Sequence, residues 1–222
     1  MFNSISGRYD FLDHFMSFRL DNFWRRKVVE ILHSFNPEHI LDVATGTADL
    51  AIAVAKAFPH SKITGIDFAE KMLDHGRVKI NNQNLQNQIE LKSGDAENLE
   101  FDDNTFDAVT ISFGVRNFEN LDKGLSEMKR VLKPEKYLII LEFSLPTDKM
   151  CRWFYLLYFA HIVPFLGMLI SKNKYAYHYL PSSVKNFPYG DNFVKILLNS
   201  GFKNISQKVL NKGICTIYTC EK

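Results

Sequence analysis

Strand-like apolar runs and segments of helical period take turns from residue 21 to residue 143, a rhythm that few folds accommodate. The apolar runs are His39–Val43, Lys62–Asp67, Ile89–Ser93, Phe106–Phe113 and Tyr137–Phe143, the last with Leu-Ile-Ile-Leu at its centre. Between them lie helix-forming stretches at Asp49–Phe58 and Ala69–Asn82, and a third in which Leu121, Leu125, Met128 and Leu132 share one face before Lys133-Pro134. An earlier run, Asp21–Phe35, carries Trp24, Val28, Ile31 and Phe35 at helical spacing and stops at Asn36-Pro37. Near-continuous apolar strands joined by helices predict a parallel sheet covered on both faces. After Phe143 the rhythm breaks. An aromatic-rich segment runs to about Gly190, followed by a helix at Asn192–Asn199 and strands near Ile205–Val209 and Ile214–Cys220. The two strands are close enough to form a hairpin, which predicts an antiparallel edge. The expectation is one α/β domain over residues 1–222, with a helical lid at about 1–36 and an insertion at about 145–190.

Charge narrows the function. Lysine and arginine number 27 against 25 acids, a net of +2, and the basic residues are scattered. No nucleic-acid partner is expected from such a surface. Three cysteines are too few for a disulfide framework and suit a reducing, cytoplasmic setting. Cys215 and Cys220 should face opposite sides of a strand, so no metal site is expected. The first ten residues lack a basic stretch followed by an apolar run, so they do not read as a secretory signal.

Leu41-Asp-Val-Ala-Thr-Gly-Thr-Ala-Asp49 sits where the first strand hands over to a helix. Gly46 permits a tight turn and close approach of a ligand, and Asp67 ends the next strand 21 residues later, where a carboxylate can accept both hydroxyls of an adenosine ribose. The dinucleotide fingerprint G-x-G-x-x-G is absent, and a pyrophosphate is a poor neighbour for Asp42 and Asp49. Two carboxylates there suit a cation such as the sulfonium and ammonium of S-adenosyl-L-methionine. Taken singly, Asp49 is a helix-capping residue and Asp67 a strand end. Gly94-Asp-Ala96, closing the third strand, completes an ordered set that favours the nucleotide reading.

Several runs carry a resemblance. Phe2-Asn-Ser-Ile-Ser-Gly-Arg-Tyr-Asp10, Asp42-Val-Ala-Thr-Gly-Thr-Ala-Asp49, Thr110-Ile-Ser-Phe-Gly-Val-Arg-Asn117, Glu127-Met-Lys-Arg-Val-Leu-Lys-Pro134, Leu141-Glu-Phe-Ser144 and Tyr175-Ala-Tyr-His-Tyr-Leu-Pro181 closely resemble the ubiquinone/menaquinone biosynthesis C-methyltransferase family, of the demethylmenaquinone methyltransferase type. The resemblance implies a class I S-adenosylmethionine-dependent methyltransferase fold, Rossmann-like, acting on a ring carbon of a polyprenylated quinol. It also implies cofactor contacts at Thr47, Asp67, Asp95, Ala96 and Ser112, beside the Asp42 and Gly46 already singled out. The family usually has Gly where this chain has Ala48, and Lys-Pro-Gly-Gly where it has Lys133-Pro-Glu-Lys136. The chain starts almost at the first of these motifs, without the short leader of many relatives.

C-methylation of a quinol needs an ionised hydroxyl that loads its ortho carbon with electron density, aligned with the donor methyl in a dry site. Arg116 is expected to stabilise the quinol oxyanion and Asn117 to orient ring or cofactor, with Tyr9 and Glu142 as further catalytic candidates. Asp10, His14, Tyr177 and His178 are weaker candidates for proton acceptors or lid contacts. The bland reading of Arg116 is a surface pair with Glu119. The greasy stretch 153–170 has 18 residues without a formal charge, flanked by Arg152 and Lys172. A span would place the last two strands across the bilayer from their sheet, so the stretch is read as a surface-lying segment and tunnel wall for the polyprenyl tail, against the inner face of the membrane. A core helix pair is the plain alternative. Demethylmenaquinol is the favoured acceptor. A benzoquinol acceptor in ubiquinone biosynthesis and a non-catalytic quinone-binding accessory role are the alternatives, and a homodimer is left open.

Overall fold

In this computed structural model, residues 20–158 and 182–222 are described. Helix α1 (Leu20–Leu32) leads into β1 (His39–Val43), α2 (Asp49–Ala57), β2 (Lys62–Asp67), α3 (Glu70–Asn82) and β3 (Ile89–Ser93). Next come β4 (Phe106–Ser112), a 3-10 turn (Val115–Asn117), α4 (Leu121–Val131), β5 (Leu132–Phe143), α5 (Lys149–Leu157), α6 (Asp191–Asn199), β6 (Lys203–Leu210) and β7 (Cys215–Glu221). The seven strands form one sheet in the order β3-β2-β1-β4-β5-β7-β6. β3, β2, β1, β4 and β5 are mutually parallel, while β7 runs antiparallel to both β5 and β6.

The hairpin forms as expected, but its order in the sheet refines the expectation. The antiparallel strand β7 lies one place in from the edge, and β6 is the edge. Burial explains the choice. Cys215 to Cys220 are all buried, whereas β6 is exposed at most positions and carries Lys203 and Lys208. A lysine-bearing edge with a register shift between Lys203 and Ser206 resists pairing with another sheet.

Strand alternation sends neighbouring apolar residues to opposite faces, which is why the sequence runs are continuous. Ile40, Ile139 and Ile217 pack with Trp24, Val28 and Leu50 on one face, and Leu41, Ile140 and Tyr218 pack with Met128, Phe193 and Leu197 on the other. Cys215 falls in the first cluster and Cys220 in the second, on opposite faces as their spacing predicts. The described part of the expected lid, residues 20–36, is packed into this core: Trp24, Val28 and Leu32 are buried.

One boundary differs. The helix read to Leu132 ends at Val131, and β5 begins at once, pairing Leu132 with Phe106 before the register shifts and resumes at Ala108 with Tyr137. Lys133-Pro-Glu-Lys136 lies at that irregularity inside β5 rather than in a preceding loop. Apolar period alone could not see a strand through proline and three charged residues.

Candidate functional site

The order of the parallel strands reverses between β1 and β4, and a cavity of about 500 Å³ opens at their carboxyl ends. Ligands bind at this position in open α/β sheets. Gly46, Asp67, Asp95, Ala96, Ser112 and Asn117 all line it. Asp42, Thr47, Arg116 and Glu142 do not. Tyr9, Asp10, His14, Tyr177 and His178, with residues 159–170 of the greasy stretch, lie outside the described residues.

The turn after β1 is built around left-handed backbone. Gly46 has φ +58°, and Ala44 and Ala48 on either side share that region. Asp67 fastens the turn from β2: its Oδ2 accepts the Gly46 N–H at 2.8 Å and its Oδ1 accepts the Ala69 N–H at 2.8 Å. The Phe68 N–H also donates to this carboxylate, and the acceptor capacity left over is open to a ligand hydroxyl. Burial pushes the Asp67 carboxyl up, against the pull of those backbone donors.

Asp42 stands beneath the turn rather than in the cavity. Its oxygens accept from Thr45 Oγ1 at 2.6 Å and Thr110 Oγ1 at 2.7 Å, and the side chain is buried. Loss of solvation raises its pKa to about 6, opposed by the two hydroxyl donors and increased slightly by the Asp67 charge. Asp49 also departs from the sequence reading. It pairs with Lys79 and, at 3.8 Å, with Arg25, so its charge is answered by protein, and Lys79 donates on to Thr47 Oγ1 at 3.0 Å. The two carboxylates expected to attract a cation are therefore one buried prop and one ion-paired residue.

The negative character of the cavity comes from other residues. Asp67, Asp95, Glu97 and Glu119 line it, and among the described residues no lysine, arginine or histidine does. Glu97 and Glu119 were missed in sequence because neither follows a strand directly. Phe68, Met72 and Phe118 were missed as well. Met72 lies within the helix-forming stretch Ala69–Asn82, where an apolar residue signals core, and Phe68, 84% exposed beside Asp67, sits between elements where periodicity is silent.

Beyond β4 the chain turns through Phe113 (φ 56°) and Gly114 into the 3-10 turn. A Cβ on Gly114 would lie 2.6 Å from that of Ala44, so only glycine lets this turn close against the one after β1. Arg116 leaves the cavity and pairs with Glu142 at 2.6 Å, both side chains buried. Glu142 also accepts the backbone N–H groups of Arg116 at 3.3 Å and of Phe143 at 2.8 Å. The Arg116 guanidinium donates to the Phe113 carbonyl and lies 5.3 Å from the Phe143 ring centroid. Neither an exposed pair with Glu119 nor a free cation facing an oxyanion describes it. Asn117 is the polar side chain that this turn gives to the cavity, its Nδ2 donating to the Phe113 carbonyl at 3.4 Å.

The arrangement fits a donor such as S-adenosyl-L-methionine on three counts. A carboxylate faces the cavity at the end of β2, glycine backbone permits close approach, and four lining carboxylates favour a positive ligand over a pyrophosphate. Comparison with known proteins agrees. The sequence model described as the ubiE/COQ5 methyltransferase family matches residues 1–222. The chain is 42% identical over 222 residues to a demethylmenaquinone methyltransferase of Bacteroides fragilis, covering 100% of this chain and 91% of that protein. It is 43% identical over 223 residues to a ubiquinone/menaquinone biosynthesis C-methyltransferase UbiE of Geotalea daltonii, covering 100% and 94%. Among solved structures, a SAM-dependent methyltransferase from Aquifex aeolicus superposes with TM-score 0.62 at 21% identity, over 86% of this chain and 87% of that one. This likeness speaks for the fold.

Proposed function

The chain belongs to the ubiE/COQ5 methyltransferase family, and from that premise we propose that it carries a methyl group from S-adenosyl-L-methionine to a ring carbon of demethylmenaquinol. The observation that carries the donor half is the set of four carboxylates, Asp67, Asp95, Glu97 and Glu119, lining the cavity at the strand ends. The acceptor half rests on the relatives, which are named for demethylmenaquinone and for ubiquinone/menaquinone biosynthesis.

When bound, the donor supplies a methyl group made electrophilic by a sulfonium. The protein's task is to hold two partners in line and keep water out. Asp67, fixed by backbone donors from Gly46, Phe68 and Ala69, offers its remaining acceptor capacity to the ribose. Asp95 and Ala96 are assigned to the adenine, and Ser112 and Asn117 add polar groups to the cavity lining. Phe68, Phe113 and Phe118 supply apolar wall. Because Arg116 and Glu142 cancel each other's charge, Arg116 contributes less as an oxyanion partner than as a brace for the turn that presents Asn117.

A quinol with a polyprenyl tail resides in a membrane, and α5 offers a surface that suits one. Met150 and Trp153 are 67% and 59% exposed, three residues apart on one face, with Lys149 and Arg152 beside them. Among the described residues no helix is long and apolar enough to cross a membrane. The reading is a protein that meets the cytoplasmic face of the bilayer through α5 and the stretch that follows.

Incubation of the purified protein with labelled donor and both demethylated quinols, naphthoquinol and benzoquinol, tests the reading. The naphthoquinol should gain one labelled methyl on a ring carbon, identified by mass and fragmentation. Methylation of the benzoquinol alone would move the acceptor to ubiquinone biosynthesis. Donor binding without transfer to either would leave an accessory protein, and absence of donor binding would end the proposal.

A further inference from the structure

The run Glu127-Met-Lys-Arg130 belongs to the sequence motif ending in Lys133-Pro134, yet it lies on α4, away from the cavity. Its two charged ends meet on one backbone segment. Glu127 Oε2 accepts the Leu99 N–H at 2.8 Å, and Arg130 Nη2 donates to the Leu99 carbonyl at 2.8 Å. Arg130 Nη1 also donates to the Phe101 carbonyl at 2.7 Å and to Asp103 at 2.8 Å. Its Nε and Nη2 grip Glu127 at 2.8 Å each, a bidentate pair. Five donors of one guanidinium thereby have five acceptors.

Leu99 closes the segment that follows β3, and the earlier residues of that segment, Gly94 to Glu97, line the cavity. This stretch has no helix or strand of its own beyond a single bridge between Asp95 and Asn98. It is pinned at its start by the Gly94 N–H on the Asp67 carbonyl at 3.2 Å, and inside by Glu97 Oε1, which accepts the Glu119 and Asn120 N–H groups at 2.7 and 2.9 Å. At its far end the clamp from α4 and the buried Leu99 side chain hold it.

We infer that Glu127 and Arg130 are positioning residues for the donor: by gripping both backbone groups of Leu99 they fix the segment carrying Asp95 and Ala96, and so set donor affinity without touching the reacting atoms. The inference rests on the cavity being the donor site. A planar fork is required, because lysine carries three donors on one nitrogen and cannot reach two carbonyls and a carboxylate in that geometry.

Arg130→Lys and Glu127→Ala, each checked for folding by circular dichroism and thermal melting, test it by calorimetry with S-adenosyl-L-methionine and with adenosine alone. Both variants should bind each ligand about tenfold more weakly, while kcat at saturating donor and KM for the quinol stay within twofold of wild type. Asp103→Asn, which removes only an exposed partner of Arg130, should bind like wild type. Exchange of the Leu99 amide hydrogen should accelerate in both clamp variants and not in Asp103→Asn. Unchanged donor affinity in either folded variant, or a fall in kcat at saturating donor, overturns the inference. If Arg130→Lys does not fold, Glu127→Ala decides by the same readouts. Failure of the wild type itself to bind donor overturns the site reading instead, so the two failures are distinguishable.

Discussion

Asp42 and Asp67 sit on neighbouring strands and differ in what they cost. Asp67 faces the cavity with backbone donors on both oxygens. Asp42 is sealed beneath, and its folded pKa of about 6 exceeds the usual carboxylate value. The native state therefore binds this proton more tightly than the unfolded chain. Asp42 costs nothing below about pH 4, and its penalty grows as pH rises through 6, to about 3 kcal/mol. Asp42→Asn should then be more stable than wild type at pH 8, with the advantage shrinking by roughly 1–2 kcal/mol at pH 5 in paired urea titrations. An amide can serve both threonine hydroxyls, so packing is retained. The same change removes a negative charge from beneath a cation site and should weaken donor binding about tenfold. A variant that gains no stability and binds normally would show that Asp42 is only a structural acceptor. The sequence placed both acids at the ligand, Asp67 on a ribose and Asp42 beside a cation. Which one faces the ligand depends on which way each side chain leaves the sheet.

At the scale of elements, the departures from the family motif carry conformational rather than chemical consequences. Ala48 is buried with φ 66°, and Glu135 is exposed with φ 60°. A side chain in left-handed backbone costs about 1–2 kcal/mol. At Ala48 the buried methyl group offsets part of that, and it does not line the cavity. At Glu135 nothing is buried in return. Glu135→Gly should raise stability by about 0.5–1 kcal/mol, after the extra freedom of glycine in the unfolded chain is counted, with no change in kcat or KM. Thermal unfolding measures the first and steady-state kinetics the second; a loss of stability would mean that Glu135 makes a compensating contact. β1, β2 and β4 were legible as apolar runs bounded by polar turns, and the edge strand β3 by the alternation of Ile89 and Leu91 with polar residues. The beginning of β5 was not, since Leu132 joins the sheet by pairing with Phe106, a contact 26 residues away that no local pattern encodes. Asn120, whose Oδ1 accepts the Lys123 N–H at 3.0 Å, marks the start of α4 by ordinary capping chemistry.

The whole molecule presents an acidic cavity at one end of its sheet and, on α5, an apolar face flanked by cations. If α5 meets the bilayer, Met150→Ser together with Trp153→Ser should lower binding to anionic vesicles about tenfold, as expected from the apolar area withdrawn. KM for a long-tailed quinol should rise several-fold, while that for a short-chain analogue stays unchanged. Equal effects on both acceptors would sink the membrane role. Sequence alone determined the α/β class, the order of elements, the glycine turn and the residues that end β2, β3 and β4, because hydrophobic period and backbone freedom are local properties. Only the tertiary structure decided that β7 enters the sheet before β6, that Asp49 and Arg116 spend their charge on Lys79 and Glu142, and that Glu97 and Glu119 complete the acidic wall. Charge pairing is settled by distances of a few ångströms between residues far apart in the chain, and those distances exist only once the sheet has brought its strand ends together.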